Sequence, residues 1–116
     1  MALESGSSEY PDEFERKEVI NGIRLGVHFN TIHRSFDLTI EPMEVIGQPF
    51  MDKRGVTRQY DNIMSTLTDD PDIAQRLFEK ACRLAGEEKN AKEIFETMFN
   101  SVDYDEATGK GIYDFS

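Results

Sequence analysis

Val19-Ile20-Asn21-Gly22-Ile23-Arg24-Leu25-Gly26-Val27-His28-Phe29 decides the fold class. Ile23, Leu25, Val27 and Phe29 alternate with Arg24, Gly26, His28 and Asn30. This period of two turns one face of a strand to a core and the other to water. Asn21-Gly22 tolerates the positive φ angles of a type I′ turn, so Val19-Ile20 reads as the end of an incoming strand. After a polar turn near Thr31 to Ser35 the alternation resumes. Phe36, Leu38 and Ile40 face one way, and Asp37, Thr39 and Glu41 the other. The spacing predicts a three-stranded antiparallel meander over about 16–41.

Upstream, residues 1–12 are rich in Ser, Glu and Gly and end in Tyr10-Pro11-Asp12. They read as a flexible tail ahead of a single domain over 13–116. A competing reading makes 11–20 a short helix, which Phe14 and Arg16-Lys17-Glu18 suit.

Downstream, Pro42, Gly47 and Pro49 interrupt the pattern. Residues 42–56 are expected to connect, with Met43, Val45, Ile46 and Phe50 pinning them to the core. The period then becomes helical. Tyr60, Ile63, Met64 and Leu67 fit i, i+3, i+4, i+7, with Thr57 as a candidate N-cap. A clearer helix starts at Asp70-Pro71-Asp72, which supplies a cap, a first-turn proline and an acid at the positive end of the dipole. Its stripe is Ile73, Ala74, Leu77, Phe78, Ala81, Leu84 and Ala85, and Gly86 is a natural stop. A further helix is expected over 88–100, with Ala91, Ile94, Phe95, Met98 and Phe99 on one side. The short break between these two helices folds them back on each other. Asp105-Glu106-Ala107-Thr108-Gly109-Lys110, flanked by Val102, Tyr104, Ile112, Tyr113 and Phe115, has the chemistry of a hairpin turn. The expected class is α+β: an N-terminal antiparallel β-meander, two or three helices and a short C-terminal hairpin.

The 116 residues are 38% hydrophobic, with eight Phe and four Tyr, which is material for one modest core. Thirteen basic residues stand against 23 acidic ones, a net charge of −10. Residues 1–18 hold −4 of it, 101–116 hold −3, and the long middle the remaining −3. The densest basic group, Lys53, Arg54 and Arg58, has Asp52 and Asp61 beside it. Binding to nucleic acid or to a membrane surface is therefore disfavoured. Cys82 is the one cysteine, which excludes an intramolecular disulfide and fits a reducing compartment. Met1 to Tyr10 has no basic stretch followed by an apolar one, and no apolar run approaches the ~18 residues of a membrane span. A cytoplasmic location is the expectation.

Asp103, Asp105 and Asp114 are spaced like positions 1, 3 and 12 of a calcium loop. Thr108 occupies the position that needs glycine, Gly109 comes one residue late, and no helix follows. An ordinary turn is the plainer reading. His28 and His33, with Asp37 or Glu41, offer a metal or acid–base set, but their spacing matches no common zinc site. Cys82 reads as a small core-facing residue beside Phe78 and Ala85. Gly109-Lys110-Gly111 precedes no helix, and neither G-x-S-x-G nor H-E-x-x-H occurs. No catalytic residue and no cofactor are indicated. Phe95, Met98 and Phe99 are candidates for a partner or self-association surface, because a small domain has more apolar faces than one pair of layers covers.

These features point to a small, acidic, non-enzymatic protein–protein interaction protein of the inhibitor, immunity, adaptor or assembly-chaperone kind. Its charge would speed encounter with a basic partner. A second reading is a self-associating structural subunit, such as a phage virion or tail-assembly component. A third is a small metal-binding protein or enzyme using His28, His33 and nearby carboxylates.

Overall fold

A computed structural model describes residues 15–42 and 47–116. Strand β1 (Glu15–Ile20) turns into β2 (Ile23–Asn30), which returns through β3 (Ser35–Glu41). Asn21 and Gly22 have φ of 51° and 79°, the left-handed pair that a two-residue hairpin needs to match strand twist. Ile20 faces Ile23, Leu25 faces Ile40 and Phe29 faces Phe36, so the predicted meander forms with its apolar residues on one side. The competing helix does not form over 15–20; residues 11–14 and the expected tail over 1–12 lie outside the described residues.

The helix expected from Tyr60, Ile63, Met64 and Leu67 is a correction. The segment supplies β5 (Thr57–Gln59), which pairs with β4 (Pro49–Met51) in a separate ribbon, and β6 (Ile63–Thr68), which adds to β3. The main sheet runs β1-β2-β3-β6. Its register explains the misleading spacing. Leu38 faces Met64 and Phe36 faces Thr68, so two steps along β3 correspond to four along β6. This irregularity lets Met64 and Leu67, three apart, both be buried. A regular strand would have put them on opposite faces. Propensity does not resist the outcome: helix preferences differ by only about 0–0.7 kcal/mol per residue, whereas burying a large apolar side chain is worth about 1.5–3 kcal/mol. The expected connection over 42–56 also contains a strand, β4, whose Phe50 is buried. Met43, Val45 and Ile46 lie outside the described residues.

Helix α1 (Pro71–Gly86) begins as expected. The Asp70 carboxylate accepts the Asp72 amide at 2.9 Å, and Pro71 occupies the first turn. Gly86 is the helix's last residue, and Glu88, with φ of 66°, takes the left-handed position beyond it. Helix α2 (Ala91–Asn100) starts at a capping box in which Asn90 and Glu93 each accept the other's amide. This reciprocity satisfies two otherwise unpaired donors. The chain ends in a hairpin of β7 (Val102–Tyr104) and β8 (Gly111–Tyr113).

Both helices lie on the apolar face of the sheet. Leu25, Val27, Leu38 and Ile40 meet Leu77, Phe78 and Ala81 of α1 and Ile94, Phe95 and Met98 of α2 in one core. The β4–β5 ribbon closes the far side of α2. Tyr60 is fully buried and donates its hydroxyl to Ile40 O at 2.6 Å. Its ring meets Phe95 edge-on at 4.9 Å, and Phe50 meets Phe95 at 5.7 Å and Phe99 at 5.8 Å. Among the described residues no helix is long and apolar enough to cross a membrane.

Candidate functional site

The ribbon that closes over α2 overturns the expected apolar surface. Phe95 and Met98 are 3% and 0% exposed, and Phe99 is partly buried against the same cluster. Phe95 and Met98 are committed to the interior, and Phe99 beside them lines a surface cleft.

That cleft begins with Asp52, at the turn of the β4–β5 ribbon. One carboxylate oxygen accepts the Arg54 and Val56 amides, each at 2.9 Å; the other accepts Arg58 Nε at 3.0 Å. The turn closes through Asp52 N–H to Val56 O and Gly55 N–H to Asp52 O, with Gly55 at φ of 83°. The Val56 amide, reinforced by Arg58 and the Arg54 amide, holds the Asp52 carboxyl below its ordinary value against the opposing effect of burial. The turn fixes its three cations. Lys53 donates its amide to Asn100 Oδ1 and its ammonium to Asn100 O, both at 3.0 Å. A cation thereby sits at the negative end of α2. Arg54 pairs with Asp103 of β7, and the Lys53 ammonium lies 3.5 Å from the same carboxylate. The Arg58 guanidinium lies over the Phe99 ring, 5.3 Å from its centre, a cation–π arrangement.

Between these groups is a cleft of about 220 Å³. Arg54 and Arg58 form one wall, Met64, Ser65 and Leu67 of β6 and Phe99 of α2 form the floor, and Val102 to Tyr104 of β7 form the other wall. Tyr104 is half exposed, and its hydroxyl is pushed up chiefly by burial, with Tyr113 and Asp69 adding to the effect. Exposed apolar side chains stand on the same elements: Met51 and Val56 on the ribbon and Ile63 on β6. Guanidinium donors, an aromatic floor and a small apolar recess suit recognition of an anionic group joined to an apolar one.

The other sequence candidates do not converge. Asp103 is tied to Arg54 and Lys53. Asp105 accepts the Ala107 amide within its turn, and Asp114 accepts that of Ser116. Among the described residues no three His, Cys, Asp or Glu side chains stand close enough to share a metal ion. His28 is exposed on the outer face of the sheet, with Nε2 3.7 Å from Asp37 Oδ2. His33 is exposed in the β2–β3 turn, where its amide donates to Asn30 Oδ1. Cys82 is partly buried against the core, and burial pushes its thiol up to about 11, so little of it is thiolate at neutral pH. No protein-family model matches the chain, and no curated protein or solved structure is significantly similar to it.

Sequence reading noted Lys53, Arg54 and Arg58 only as the densest basic group. The signal that marked a site was Asp52 followed by Gly55, a turn able to aim those cations. Without the partner segments 64–67 and 99–104 the signal was incomplete.

Proposed function

We propose that this protein is a non-catalytic binding module that grips a partner protein through the cleft between the β4–β5 ribbon, β6 and β7. The supporting observation is the placement of two arginine side chains, Arg58 held by the buried Asp52 carboxylate and Arg54 by Asp103, at an open aromatic and apolar recess. Arginine and tyrosine at a partly apolar recess are the residue types that dominate protein interfaces. The reading moves the grip from the Phe95–Met98–Phe99 face to this neighbouring cleft. It also shifts the local charge preference from a basic partner to one that presents an acid here.

The test uses the exposed rim, where substitutions spare the core. Proteins captured from host cells by the wild-type chain are purified and titrated against wild type and against Arg54→Ala with Tyr104→Ala. The expected result is affinity at least tenfold lower for the double variant, with an unchanged circular dichroism spectrum. Equal affinities would place the interface elsewhere. Light scattering on both forms covers self-association: a concentration-dependent mass lost in the variant would make the partner a second copy.

A further inference from the structure

The cleft lies beside an open strand edge. Among the described residues β6 is the last strand of the main sheet and pairs only with β3 within it. The Ile40 amide donates to Asn62 O at 2.9 Å, and Leu38 faces Met64. Antiparallel ladders alternate the direction of their backbone groups, so Ile63, between the paired Asn62 and Met64, turns its N–H and C=O groups away from β3 just before the register shift begins. Among the described residues the Ile63 amide finds only a long contact, 3.3 Å, with Asp61 Oδ1. Ser65 is exposed and lines the cleft. The opposite strand, β7, is less open to pairing. The Asp105 to Lys110 and Asp114 to Ser101 hydrogen bonds set its ladder, which turns the Tyr104 amide outward, and Asp103 Oδ1 accepts that amide at 2.8 Å. One side of the gap therefore presents backbone, and the other presents side chains.

Charge selects what fits. Arg58 uses Nε on Asp52, and a guanidinium has five N–H donors, so its two Nη groups remain to face an incoming acceptor. Its position over Phe99 puts those donors directly above apolar surface.

We propose, building on the partner-binding reading, that the site receives an extended acidic segment of a partner protein. The segment adds as a strand beginning at Ile63, seats one apolar side chain against Phe99 and Met64, and sets a carboxylate on the Nη groups of Arg58, beside the Arg54–Asp103 pair. Strand addition supplies affinity through main-chain hydrogen bonds, and the recess and arginines supply selectivity through alternate side chains. The chain's net charge of −10 repels an acidic partner at long range, so recognition is a short-range event and not an electrostatically steered one.

The probe is a displayed library of random peptides selected on the full chain. The expected winners carry Asp or Glu two positions from an aromatic or aliphatic residue. Their synthetic forms should bind at least tenfold more weakly to Arg58→Gln. Methylating alternate backbone amides of the peptide should weaken binding at least tenfold in one register and little in the other, a readout that leaves the protein untouched. Winners without acids, equal tolerance of methylation in both registers, or no winners at all would each overturn the proposal. The broader reading fails separately, through the full partner's indifference to the Arg54→Ala, Tyr104→Ala pair.

Discussion

Two buried polar residues carry disproportionate weight in this small protein. Asp52 organises the ribbon turn through bonds from Arg54, Val56 and Arg58. Its carboxyl is held below the ordinary value, so the stabilisation it provides is full above about pH 4, the unfolded range. That stabilisation is lost as pH falls through the lower folded value. Asp52→Asn should lower the melting temperature at neutral pH and shrink the loss of stability on acidification. A variant that melts like wild type at pH 7 would remove Asp52 from this role. Lys80 is 3% exposed, and its ammonium donates to Ser101 Oγ at 2.7 Å and to Asp114 O at 2.9 Å. Burial, more than the opposing charge of Asp114, pushes its pKa down. The folded state thus releases this proton before the unfolded state does, and the group's contribution rises with pH in the alkaline range below its ordinary value. Lys80→Met keeps the buried stem but strands two acceptors. It should cost about 1–3 kcal/mol in urea denaturation, with the rise in alkaline stability gone. Neither residue stood out in the sequence. Lys80 looks like any surface charge until segments 21 and 34 residues further on, at Ser101 and Asp114, come to meet it, and Asp52 does so until its turn folds Arg54, Val56 and Arg58 around it.

At the level of elements, legibility followed locality. The Asn21-Gly22 hairpin and the start of α1 were readable because every group involved lies within a few residues, whereas α2, expected from 88, starts at Ala91 behind a capping box that the apolar spacing did not mark. Asn90→Ala removes the acceptor of the Glu93 amide and half of a capping box, so it should cost about 0.5–2 kcal/mol and fray α2 first. Hydrogen exchange of the α2 amides relative to those of β2 checks this; uniform protection in the variant would count against it. The β6 segment was misread because its register irregularity reproduces a helical spacing, and only pairing with β3 reveals it. The exposed face expected at Phe95, Met98 and Phe99 failed for a related reason. Whether a helix stripe is covered depends on a ribbon that begins some 40 residues earlier, at Pro49. The cleft draws on four separate elements, so no window of sequence contained it.

For the molecule as a whole, the question is how a chain of net charge −10 stays folded. Exposed ion pairs such as Arg24–Glu41 and Arg76–Asp72 each contribute only about 0–1 kcal/mol. Long-range self-repulsion acts over the whole surface and opposes compaction. The two effects respond to salt with opposite sign, since screening weakens the pairs and the repulsion alike. The repulsion has more to lose, because 23 acids face 13 bases and ten acids therefore have no base to balance them. The melting temperature should therefore rise as sodium chloride increases from about 10 to 300 mM, over which the Debye length shrinks several-fold. A fall would mean that the local pairs dominate. Acid tests the other half of the balance. Asp103 and Asp114 join Asp52 in having carboxyls held below their ordinary value, Asp103 first by the Tyr104 amide and Asp114 first by that of Ser116. Below about pH 4 the unfolded chain takes up these protons before the native chain does, so stability must fall there, although the net charge passes through zero near pH 4.6. Near the pI of about 4.6, where net charge is smallest, salt should not rescue that loss, because there it arises from hydrogen bonds to ionised carboxylates and not from repulsion. A melting series across pH at two salt concentrations separates the two causes. Curves that converge at neutral pH would discard the repulsion argument, and curves that hold level through pH 3 would discard the carboxylate one.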